Sequence, residues 1–151
     1  MPEITNLIFC INAEKIVSDK GSVVGVNAMN VQTVLTPEFI PGTLSFSIVF
    51  FIQDLDYLHS ATKIQVRFLD PEKKVVSDSG ELVVPQIKED PSALDLPQKY
   101  KGINLTLELK NMVFETEGEY TTEIMVNGDT LLSKPIYVKA RRRVLNDPKQ
   151  Q

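Results

Sequence analysis

The stretch from Gly118 to Val138 limits what this chain can fold into more than any other. Two runs of alternating apolar and polar residues flank Asn127-Gly128-Asp129. In the first, Tyr120, Thr122, Ile124 and Val126 share one face, and Thr121, Glu123 and Met125 the other. A period of two is that of a strand with one buried face. Asn-Gly is a strong hairpin signal, because both central residues of a type I′ turn need positive φ and these two tolerate it best. The segment is therefore predicted as an antiparallel hairpin whose apolar face needs a second layer to cover it.

The rest of the chain repeats this pattern. Leu7 to Asn12 is apolar on both faces, as in a strand covered on both sides or one that pairs across an interface. Val23 to Leu35 is rich in β-branched residues and contains Gly25, which fits one bent or bulged strand or two short ones. Thr43 to Gln53 is the clearest central strand: Leu44, Phe46, Ile48, Phe50 and Ile52 make one face. The other face begins with Ser45 and Ser47 and continues with Val49 and Phe51, so either a loop covers it or it belongs to a binding patch. Ile64, Val66 and Phe68 point inward from Lys63 to Asp70, and Asp70-Pro71 opens a polar turn. Val75 to Val84 is a weaker strand broken at Ser77 to Gly80. The prolines of Pro85 to Lys101 permit no more than a helical turn there. Ile103, Leu105, Leu107 and Leu109 then alternate inward. Seven to nine short strands without a helix of any length predict an all-β, antiparallel two-sheet sandwich.

A chain of 151 residues with 42% hydrophobic side chains fits one domain. That domain is placed at residues 1–139, with a basic, flexible tail at 140–151. From Lys139 onward, Lys139, Arg141, Arg142, Arg143 and Lys149 stand against Asp147, a net of +4. The total of −4 therefore leaves −8 on residues 1–138. An acidic body argues against nucleic-acid binding by the domain. The longest apolar run, residues 46–52, is of strand length, so no membrane span is expected, and MPEITNL lacks the basic start of a signal peptide. Cys10 is the sole cysteine, which rules out an intrachain disulfide and points to a reducing cytoplasm.

Gly118-Glu119-Tyr120, between a strand of alternating leucines and another alternating strand, resembles the tyrosine corner of immunoglobulin-like sandwiches. The resemblance implies that the Tyr120 hydroxyl bonds to backbone a few residues upstream. Thr122 stands where an antibody domain carries its second cysteine, and the chain has no tryptophan, so the architecture carries over without antibody-type membership. The chain also resembles a family of short, uncharacterised bacterial or phage sandwich proteins. The resemblance runs over residues 5–139 through LIFCINAEKI, SFSIVFFIQ, IQVRFLDPEKKVV and the final hairpin. It implies a fold and contributes no site.

Marks of catalysis are scarce. His59 is the only histidine, and no GxSxG, GxGxxG or phosphate-loop pattern occurs. Cys10, inside an apolar strand, reads as an inert thiol. Asp54, Asp56, Asp70 and Glu72 could hold calcium only if their two loops met at one end of the sandwich, and consecutive turns normally lie at opposite ends. No cofactor, metal or enzymatic activity is expected. The candidate interface is Val49, Phe51, Ile8 and Cys10, facing a protein partner or a second copy of the chain. The alternative is a module for a small ligand, a glycan or calcium, using loop residues Tyr57, Leu58, His59 and Tyr100. Gly118, Tyr120, Asn127 and Gly128 are assigned structural roles.

Overall fold

The computed structural model describes residues 1–19, 21, 23–56, 60–84 and 96–142. Ten strands form among them: β1 Glu3–Val17, β2 Val23–Gln32, β3 Val34–Leu35, β4 Gly42–Gln53, β5 Thr62–Leu69, β6 Val75–Asp78, β7 Leu82–Val84, β8 Gly102–Phe114, β9 Gly118–Val126 and β10 Asp129–Val138. The two shortest, β3 and β7, take the count past the nine expected. The strands make two sheets, one ordered β2-β1-β4-β8 and one ordered β3-β10-β9-β5-β6, with β7 also on β5. Pairing is antiparallel except for β3 on β10, where Val34 lies beside Tyr137 and Leu35 beside Val138. Val23 to Leu35 is thus two strands on different sheets, parted at Thr33.

Alternation decides which side chains enter the space between the sheets. Phe46, Ile48, Phe50 and Ile52 of β4, Ile64, Val66 and Phe68 of β5, and Tyr120, Ile124 and Val126 of β9 all lie in the buried core. In β8 the phase changes. Asn111 takes φ 52° and its N–H donates to Ser45 Oγ at 2.9 Å, so Leu109, Met112 and Phe114 all face inward despite their spacing.

The β9-β10 hairpin turns at Asn127 and Gly128, with φ 51° and 88°, the two positive values of a type I′ turn. Asn127 also ties the turn to β5: its N–H donates to the Lys63 carbonyl at 2.8 Å, and its Oδ1 accepts from the Lys63 N–H at 2.9 Å. At the other end of β9 the Tyr120 hydroxyl donates to the Thr116 carbonyl at 2.8 Å, the bond that defines a tyrosine corner. Gly118 sits at φ 141°, where a Cβ would come within 2.8 Å of Pro71 Cγ, so a side chain is excluded by backbone and neighbour alike.

Residues 140–142, placed by the sequence at the start of the tail, lie against the chain after β3. Beyond β10 the N–H groups of Lys139, Arg141 and Arg142 donate to the carbonyls of Leu35, Pro37 and Glu38, and Arg142 Nε lies 3.2 Å from Glu38 Oε1. These bonds hold Lys139, Arg141 and Arg142 along the chain after β3 past the end of the β3-β10 pairing, and the Ala140 N–H donates to Glu117 Oε1 at 3.3 Å. Residues 143–151 lie outside the described part.

Two changes two positions apart on the buried face of β9 should act in opposite directions. Tyr120→Phe leaves the Thr116 carbonyl without its donor and should lower stability by about 1–2 kcal/mol. Thr122 is fully buried and its hydroxyl has no hydrogen-bond partner, so Thr122→Val should raise stability by about 1 kcal/mol. Urea unfolding followed by circular dichroism checks both; a loss of stability in Thr122→Val would contradict the second.

Candidate functional site

The outer face of the four-stranded sheet is built by register. A bulge at Asn6, with φ 55°, lies between the aligned pairs Thr5 with Phe51 and Ile8 with Val49. Cys10 then sits between Ser47 of β4 and Val31 of β2, and Met29 lies beside Asn12. On the far side of β4, Val49 is beside Thr106 and Phe51 beside Asn104. The four interface residues read from the sequence therefore do share one surface. That surface carries little charge across its middle: Ile8 and Cys10 on β1; Ser47, Val49 and Phe51 on β4.

Depth separates these four residues. Cys10 is 0% exposed and Val49 8%, so both are already enclosed within the chain and offer a partner nothing. They are short side chains on the two central strands, flanked on both sides at roughly 5 Å. Burial pushes the Cys10 thiol up, which keeps it protonated. The accessible apolar groups are the half-buried Ile8 and Phe51, together with Met29 at 38% and Val31 at 54%, which sequence reading missed. Their alternation with Asn30 was visible, but their face follows only from pairing with β1.

The loop candidates fare differently. Tyr57, Leu58 and His59 lie outside the described residues. Tyr100 is 57% exposed in a 3-10 turn, Gln98–Tyr100, with Lys99 Nζ 5.9 Å from its ring centre. Asp54, Asp56, Ser60, Thr62, Gln98 and Asn127 line an open depression. Asp54 is engaged there: its Oδ2 lies 2.8 Å from the N-terminal ammonium, which, with Gln98, holds its carboxyl below the usual range. Asp70, at the opposite end of β5, accepts from the N–H groups of Glu72 and Lys74, each at 2.9 Å. The two acidic turns do not converge. Among the described residues no three His, Cys, Asp or Glu side chains are placed to hold a metal ion, and no helix is long and apolar enough to cross a membrane.

A family model matches residues 6–139. The chain belongs to a family of unknown function, DUF6941. No curated protein matches it. Among solved structures it is similar to an immunoglobulin-like protein from Pseudomonas aeruginosa, with 12% identity, 92% of this chain and 97% of that chain covered, and a TM-score of 0.42. The sandwich assignment for this DUF6941 member stands on its own two sheets and its tyrosine corner.

One surface carboxylate of this DUF6941 chain has a structural duty. Asp78 accepts from Gln65 Nε2 at 2.9 and 3.0 Å, from Gly80 N at 2.8 Å and from Arg67 Nε at 3.3 Å. These bonds, Gln65 first, hold its carboxyl below the ordinary range. A depressed folded-state value means stability present above the unfolded value near pH 3.9 and lost as pH falls through the folded one. Asp78→Asn should thus lower the urea midpoint slightly at pH 7, and the difference from wild type should shrink as pH falls and the wild-type carboxylate takes up a proton. A difference that does not shrink with falling pH would show that the charge is not the cause.

Proposed function

We propose that this chain is a cytoplasmic, non-enzymatic module that works by binding protein through the outer face of its four-stranded sheet. The observation behind this reading is the uncharged strip formed by Ile8, Phe51, Met29 and Val31 over the enclosed Cys10 and Val49. An antiparallel sheet normally presents a polar outer face to water. Here the central β1 and β4 positions of that face carry no charge, with Glu108 of β8 beside Ser47 at the rim, on a body that carries −8 over residues 1–138. Apolar strips of this kind, rimmed by polar surface, mark places where another surface docks. The single cysteine, buried and protonated, suits a reducing compartment.

Phe51 is the residue to change, because it is half-buried on the strip and lies outside the inter-sheet core. Phe51→Asp should leave circular dichroism and thermal unfolding close to wild type while abolishing retention of proteins that wild type captures from its source cells. Identical retained sets for wild type and variant would remove this reading.

A further inference from the structure

We infer that β2 is a self-pairing edge, and that two copies of the chain join β2 to β2 in antiparallel register, merging their four-stranded sheets into one. The inference rests on the protein-binding reading above and supplies its partner and geometry. An edge strand displays a row of unpaired N–H and C=O groups, and proteins blunt such edges with charge, proline, bulges or brevity. The other edges here are treated in those ways. β8 carries Glu108, Lys110 and the Asn111 bulge. β10 carries Lys134 and Pro135, and Lys134 Nζ reaches the Leu7 carbonyl at 3.4 Å where the β1-β2 ladder stops. β6 and β7 have four and three residues, and β3 has two.

β2 has neither charge, nor proline, nor brevity. It runs ten residues, VVGVNAMNVQ, and no described segment pairs with its outer side. Its ladder with β1 slips by one residue between Gly25 and Val23, and Asn30 takes φ 57°, so its regular run is Gly25 to Met29. The occupant follows from how β2 is supported. β4 pairs with β1 only as far as Cys10, so Asn12 to Val17 of β1 and Val23 to Met29 of β2 form a ribbon with no third strand hydrogen-bonded to it. A two-stranded ribbon in water is marginal, and this one leaves Ile16, Val17 and Met29 exposed. Two such ribbons side by side give four strands, with main-chain hydrogen bonds along the shared edge.

A second copy fits because the edge is self-complementary. A two-fold axis normal to the sheet, within Val26 to Ala28, aligns like faces and keeps both outer strips on one side. No charged side chain of β2 meets its mate, whereas most other contacts between two acidic bodies oppose like charge. Gly25 lies where the β1-β2 ladder slips by one residue, and a Cβ there would meet only Ile16 Cδ1 at 3.7 Å, so the space beside β2 is open at that point.

Sedimentation equilibrium of the full chain tests this, with circular dichroism as the control for folding. Wild type should reach twice 17.0 kDa with rising concentration. The change Asn27→Lys, at an exposed position outside the strip and close to the two-fold axis, should weaken association roughly tenfold or more without unfolding the chain. Hydrogen exchange on wild type gives a second readout that needs no variant: protection of β2 amides should grow with concentration. A dimer that survives Asn27→Lys but is lost in Phe51→Asp would overturn the edge and leave the outer-face reading intact. A wild-type monomer at every concentration, or β2 protection independent of concentration, would overturn the edge pairing, and capture by the outer face would stand or fall on its own test.

Discussion

Four aromatic rings hold the two sheets in register, and the remaining architecture is arranged around them. Phe46 of β4 and Phe114 of β8 come from one sheet; Phe68 of β5 and Tyr120 of β9 come from the other. Phe68 stacks on Tyr120 at 5.5 Å, Phe114 meets Tyr120 edge-on at 5.2 Å, and Phe46 lies 5.7 Å from Phe68. Such pairs contribute about 0.5–1.5 kcal/mol each beyond the area they bury. Antibody domains fix the same relationship with a disulfide packed on a tryptophan. With one cysteine and no tryptophan, this chain relies on geometry alone, and Tyr120 has a second constraint through its bond to Thr116.

Because β4, β5, β8 and β9 supply those rings, the first two strands are free to do something else. β1 contributes Leu7 and Phe9 to the core and then continues past the end of its pairing with β4. The β1-β2 ribbon is therefore an extension of the sandwich whose residues the core does not require. The exposed positions it carries, including Ile16, Val17 and Met29, are chemically out of place on a surface serving only solubility. A long strand without charge and with an unpaired side is suited to contact with another chain.

The sequence conveys faces well and depth poorly. Alternation in β4, β5 and β9 identifies the inward residues because those strands run without interruption across the core. The Asn-Gly turn and the Tyr120 corner are equally legible, since each depends on local backbone chemistry. What escapes is any property set by strand order. Cys10 and Val49 lie on the outer face of their sheet, yet they are enclosed because of which strands flank them, and that order is decided by long-range pairing. Bulges at Asn6 and Asn111 shift the phase of β1 and β8; asparagine tolerates positive φ, but most asparagines in a strand do not use it. The importance of β2 also depends on its edge position, which nothing in its ten residues reveals.

Charge explains why an uncharged edge and strip would matter on this particular body. At physiological ionic strength the screening length is about 8 Å, so repulsion between two acidic domains fades beyond a few solvent layers but acts fully at contact. Association is then favoured where neither partner presents a carboxylate. Stacking the two outer strips face to face would bring Glu3, Glu14 and Glu108, on or beside the same sheet, towards their counterparts. Joining the sheets edge to edge keeps those carboxylates in water and forms main-chain hydrogen bonds that carry no net charge. For a protein with this distribution of charge, lateral growth of the sheet is the contact with the smallest electrostatic cost, and it leaves the doubled outer strip open to a further partner.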